Sequence, residues 1–126
     1  MKSYILSPSY GRMHNPSYSL ISNPFDSRFQ NCNEFVLDEL TSAIWDEEDA
    51  KALVEKLSTS FEPTEIKAGF IRRRVAPFVD ERLVMDDHGE NIKTTTREDL
   101  IEFLENEDLL DRAYRLDFKP LDANAP

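Results

Sequence analysis

The residues best suited to chemistry in this chain stand together at Asn31-Cys32-Asn33-Glu34-Phe35-Val36. Cys32 is the one cysteine present. Asn31 is a strong helix-capping residue, and Glu34 follows three positions on, as in a capping box. The sulfur is therefore expected in the first turn of a helix. Unpaired amides and the helix dipole favour the thiolate there, and the thiolate is the nucleophilic form. A plainer reading competes. Free cysteine is often buried, and Cys32 falls on one apolar stripe with Phe35, Val36, Leu40, Ala43 and Ile44 at helical spacing. A thiolate needs a base, and the chain has two histidines, His14 and His88.

Other groupings carry less. Asp86, Asp87 and His88, with Glu90 near, have metal-ligand side chains. Ligands this close on one loop need help from elsewhere, so the stretch reads as a solvated turn. No metal and no cofactor is expected. Arg72-Arg73-Arg74 is a basic run suited to an acidic partner or to the acidic helix of residues 46–56. Trp45 reads as core.

The 126 residues suffice for one sizeable core. The net charge of −10 argues against nucleic acid and against an anionic membrane surface. No apolar run reaches membrane-spanning length, and no export-signal core follows Met1, so the chain as it stands reads as cytoplasmic. One cysteine excludes an internal disulfide framework and a Cys-rich zinc site. The acidity is uneven. Residues 32–62 and 81–126 each carry net −7, nine acids against two bases and thirteen against six. These acids fall between spaced apolar residues, as on solvated helix faces.

The elements that position these groups follow from pattern. Residues 1–31, rich in Pro, Ser and aromatics, read as an extended segment that packs on something, with a short strand over 17–22. A helix is expected over 32–45. A second begins at Asp46, with Ala50, Leu53, Val54 and Leu57 inward and Ser58 to Ser60 at its end. A third runs from Pro63 to about Val75, with Ile66, Phe70, Ile71 and Val75 inward. Leu83-Val84-Met85 and Ile92 to Thr95 read as a hairpin. Thr96 with Asp99 opens a helix ending near Asn106. Tyr114, Leu116 and Phe118 alternate like a final strand. The expectation is a helix-rich α+β domain over residues 1–120, with few short strands and a loose tail at 121–126.

The stretch from His14 to Leu40 resembles the bacterial domain-of-unknown-function family 2145, as do Met85-Asp86-Asp87-His88 and the threonine-rich lead into Thr96. The resemblance covers most of residues 4–118. Asn-Cys-x-x-Phe-Val is also similar to the cysteine motif of papain-like hydrolases of the NlpC type, including the permuted lecithin:retinol acyltransferase-like branch. That resemblance implies a partial or minimal papain-like fold. It also implies a cysteine at a helix start, a histidine on a facing strand and a third polar group that orients the histidine. Implied substrates are peptide, cell-wall peptide or acyl ester bonds. Carried onto this chain, Cys32 is the nucleophile and Asn31 acts through its capping bond. His14 fits the permuted order and His88 the unpermuted one. Members of the family are longer, with an amino-terminal half bearing its own histidine and an export signal. The chain then corresponds to a carboxy-terminal portion, and the compartment of the longer form is the cell envelope. Two functions follow as expectations: a cysteine hydrolase or acyltransferase, or a non-catalytic interaction module whose residues 1–31 pack on a protein partner or a second copy.

Overall fold

The chain organises around a 14-residue helix, here α2 (Cys32–Trp45). A short helix, α1 (Lys2–Ile5), precedes it. Helix α3 (Ala50–Ser60), strand β1 (Thr64–Ile66), strand β2 (Ile92–Thr94) and helix α4 (Arg97–Asn106) follow. The computed structural model describes residues 2–67, 69 and 80–114. Within these the architecture is a small α+β arrangement of four helices and one two-stranded antiparallel sheet, in which Glu65 pairs with Lys93.

Helix α2 starts where the capping residue dictates. Asn31 is extended, and its side-chain oxygen accepts from the amides of Asn33 and Glu34. The helix stops at Asp46, a left-handed residue with φ of 50°. The second helix is capped by Asp49, whose carboxylate accepts from the Ala52 amide, and not by Asp46 as the charge pattern suggested. Asp46 is already committed to ending α2, which forbids it a helix-starting geometry.

The buried side of α2 also differs from the expected stripe. Glu34, Leu37, Glu39, Thr41 and Ser42 are buried, whereas Cys32 and Val36 are exposed. The reason lies in residues 2–31, which pack on this helix and bring partners for its polar groups. Tyr4 donates from its hydroxyl to Glu39 at 2.9 Å. The Gly11 amide donates to the other Glu39 oxygen at 2.8 Å. Gly11 has φ of +89°, which a side chain would strain. Ser22 donates to Glu34. Polar positions so satisfied can face inward, and apolar periodicity then misreports the buried face. The expected strand over 17–22 reduces to one parallel bridge, Tyr18 with Gln30.

Leu37 joins Met13, Leu53, Leu57, Phe61, Leu100 and Phe103 in the core, with Phe25, Trp45 and Leu104 packed against it. Burying each such side chain contributes roughly 1.5–3 kcal/mol. Phe103 lies edge-on to both Trp45, at 6.2 Å, and Phe61, at 5.9 Å.

Residues 64–66 form a strand where the sequence suggested the start of a third helix. Thr64 and Ile66 are β-branched, and Ile92 to Thr94 supply a ladder for them. The expected partner of β2, Leu83-Val84-Met85, is not a strand. The Val84 carbonyl instead accepts from Ser19 Oγ at 3.3 Å, and the Arg82 carbonyl from the Leu20 amide at 2.9 Å. Phe70, Ile71, Val75, Arg72 to Arg74, and Leu116 and Phe118 lie outside the described residues; Tyr114 is exposed.

Helix α4 begins at the expected capping box. Asp99 accepts from the Thr96 amide at 2.8 Å, and its own amide donates to Thr96 Oγ1. The same carboxylate accepts from the Thr64 amide at 3.0 Å and the Thr64 hydroxyl at 2.9 Å, tying β1 to α4. Asp99→Ala should therefore lower stability by about 2–3 kcal/mol in urea unfolding, because three donors lose their acceptor together. A loss below about 0.5 kcal/mol would refute that role.

Candidate functional site

The helix start at residues 31–35 accounts for its donors one by one. Asn31 Oδ1 takes the amides of Asn33 and Glu34, each at 2.9 Å. The Asn31 carbonyl takes the Phe35 amide at 2.9 Å. The Cys32 amide has no acceptor among the described residues. Cys32 itself is exposed. One residue thus presents both a thiol and an unengaged N–H at the positive end of α2.

Two contacts to β2 hold this end in place. Asn31 Nδ2 donates to Thr94 Oγ1 at 3.2 Å, and Asn33 Nδ2 donates to the Thr95 carbonyl at 3.1 Å. Asn31 itself is buried.

The two histidines have different surroundings. His14 is exposed, and its ring stands edge-on to Phe35 with centroids 6.0 Å apart. Phe35 lies one turn beyond Cys32 on α2, at the spacing that makes helix neighbours. The His88 side chain is fully buried. Its Nε2 lies 3.3 Å from Asp87 Oδ1, and its Nδ1 accepts from the Lys93 amide at 3.4 Å. No hydrogen bond joins Cys32 to either ring among the described residues.

The stretch Asp86 to His88 is a turn, but not the solvated one that its composition suggested. Asp87 is buried because it accepts from the Asn23 amide at 2.8 Å, while Asn23 Nδ2 donates to the Asp87 carbonyl. Among the described residues no group of three or more His, Cys, Asp or Glu is placed to hold a metal ion. No described helix is long and apolar enough to cross a membrane.

On another side of α2 lies a cleft of about 230 Å³ that the sequence did not announce. Its polar wall includes His14, Gln30, Glu34 and Asp38, and its apolar wall includes Leu53 and Val54. Burial pushes the Glu34 carboxyl up to about 8, helped by the nearby Asp38 and Asp87 and opposed by the Ser22 hydroxyl and the Asn31 amide. Burial likewise pushes Asp38 up to about 7, with Glu39 adding to the rise and Gln30 opposing it. Gln30 Nε2 donates to Asp38 Oδ2 at 2.7 Å and to the Met13 carbonyl at 2.8 Å, while its oxygen accepts from the Asn15 amide. The one sequence signal for this cleft was Glu34, and its position after Asn31 assigned it to the helix cap.

These features define a small α+β protein with an exposed helix-start cysteine and a carboxylate-lined cleft. The chain belongs to the family described as an uncharacterized protein conserved in bacteria (DUF2145), whose model matches residues 1–104. No curated protein and no solved structure matches it.

Proposed function

We propose that Cys32 is the nucleophile of a papain-like cysteine hydrolase or acyltransferase acting on peptide, cell-wall peptide or acyl ester carbonyls. The observation that supports this reading most is an exposed cysteine that pairs a free thiol with an unengaged amide at a helix start. The thiol loses its proton to an imidazole, and the sulfur adds to the carbonyl carbon. The oxyanion takes the Cys32 N–H, and the leaving group departs with the proton. Water or an acceptor alcohol or amine then releases the acyl group from sulfur. Asn31 is a positioning residue, since its side chain fixes the first turn. His14 is the preferred proton acceptor, because it is exposed and rests on Phe35, one turn from Cys32. His88 is the less suited imidazole, because its buried ring accepts the Lys93 amide at Nδ1 and turns Nε2 toward Asp87.

p-Nitrophenyl acetate tests the reading. The folded chain should acetylate Cys32 at least about tenfold faster than the urea-unfolded chain at the same pH, by mass spectrometry of the Cys32 peptide. His14→Ala should slow the folded reaction roughly hundredfold. Equal rates for folded and unfolded chains overturn it.

A second reading, a non-catalytic interaction module, has its own support. An apolar groove of about 150 Å³ runs between Tyr4, Ile5, Tyr10, Phe35, Val36 and Leu40. Val36 in its wall is 43% exposed, and Leu6, which follows Ile5 in the chain, is 76% exposed. Here residues 1–31 would serve a protein partner or a second copy. Sedimentation that shifts with concentration, abolished by Val36→Asp, is the expected sign of the second copy.

A further inference from the structure

The cleft between α2, α3 and residues 12–30 shares His14 with the proposed cysteine chemistry, but its carboxylates and its apolar floor play no part in that chemistry. Its floor is apolar, from Leu53 and Val54 of α3 together with Pro24 and Met13. Its α2 wall carries Glu34 and Asp38 one turn apart, a spacing that puts their Cβ atoms roughly 5–6 Å from each other. Gln30 takes up only one oxygen of Asp38; Oδ1 accepts no hydrogen bond among the described residues. Arg12 stands at the rim, but Glu48 holds its guanidinium, so it does not neutralise the wall. A volume of about 230 Å³ lies below the roughly 300–1,000 Å³ of sites for drug-sized ligands. It suits one short chain with one charged head.

We infer that this cleft binds a primary ammonium on a short aliphatic chain, with the nitrogen on Asp38 Oδ1 and Glu34 and the methylenes on Leu53 and Val54. Three features select that chemistry. Two carboxyls within a helical turn of each other need a cation between them before both can ionise in a half-dry site. An ammonium is a compact charge whose three donors can be shared between two carboxyls, whereas a planar guanidinium pairs best with both oxygens of one carboxylate, and Gln30 already holds one oxygen of Asp38. The chain's net charge of −10 draws cations toward it. The ammonium could belong to a free alkylamine or to a lysine side chain. Cys32 does not line this cleft and His14 does, so the two readings share one residue, and the variants that test the inference, Asp38→Asn and Val54→Phe, leave both Cys32 and His14 in place.

Titration of the full chain with n-butylammonium chloride, followed by amide chemical shifts in NMR, tests it. Saturable shifts confined to the lining residues are expected at millimolar concentrations, weaker at pH 6 than at pH 8 because ionised carboxyls are required. Asp38→Asn should weaken binding at least tenfold. Val54→Phe, which fills the floor and leaves both carboxyls, should abolish it in a chain that still shows a folded spectrum. N-acetyl-lysine methylamide separates the two sources. Binding as tight as that of n-butylammonium places a lysine side chain in the cleft, and tenfold weaker binding places a free amine there. Equal response to butan-1-ol, tighter binding of methylguanidinium, shifts that never saturate, or unchanged binding by Asp38→Asn overturns the inference.

Discussion

Stability should fall as the pH rises from about 4 to about 8, and Glu34→Gln should remove most of that fall. In the folded chain Glu34 is pushed up to about 8 and Asp38 to about 7, from ordinary values of 4.5 and 3.8. The unfolded chain therefore releases both protons first. Where it holds fewer protons than the folded state, stability declines with pH. The contribution is whole below about pH 4, drains through the neutral range and is gone above about pH 8. For Glu34 alone the loss at neutral pH is on the order of 3 kcal/mol, a large part of the 5–15 kcal/mol that keeps a domain folded. The charged groups facing Glu34 are Asp38 on its own helix and Asp87 from the 80–91 segment, and both oppose ionisation. Asp26, Glu47 and Asp80 are shifted downward, by Arg28, the Asp49 amide and Arg82 respectively, so their opposite contribution lies below about pH 4.5. They are partly exposed and solvent screens them, so the slope keeps the sign set by Glu34. Urea midpoints for the parent and for Glu34→Gln across this range check the prediction. A parent chain that grows more stable toward pH 8 contradicts it.

Phe103→Ala should be the most damaging single truncation, at about 3–5 kcal/mol. Phe103 is almost completely buried and presents its ring to both Trp45 and Phe61. Through these two rings it joins the end of α2, the end of α3 and the middle of α4. Removing it leaves a hole that three elements must close at once, and rings held edge-on do not slide to fill it. Phe103→Leu keeps most of the volume and should lose less than about half as much. Unfolding followed by Trp45 fluorescence reads both variants. A loss near 1 kcal/mol for the alanine variant would show that the cluster repacks.

What the sequence revealed was mostly local. Asn31 before Cys32, and Thr96 three residues before Asp99, announce helix starts because capping depends on a few adjacent atoms. Asp46 and Asp49 show the limit of the same signal. Both are capping residue types, and only the backbone geometry at the end of α2 decides between them. The inward side of α2 was hidden for a different reason. Glu34 and Glu39 are buried because Ser22, Tyr4 and Gly11 arrive from residues far earlier in the chain. No window on the helix itself contains those partners. Strand β1 was hidden likewise, since three residues become a strand only when a distant ladder is offered. At the candidate site, the position of Cys32 at a helix start was legible from spacing. Its spare amide, the contrast between an open His14 and an enclosed His88, and the cleft behind Glu34 depend on tertiary packing.

The pairing of Thr64–Ile66 with Ile92–Thr94 spans 25 intervening residues rather than a tight turn. Closing so long a span already bears most of its entropic penalty, which grows only with the logarithm of length. Doubling it would add only about 0.6 kcal/mol. Added residues between these strands should thus cost this chain little, provided they leave residues 80–91 on Ser19, Leu20 and Asn23, so the ladder and the helix start braced against it persist.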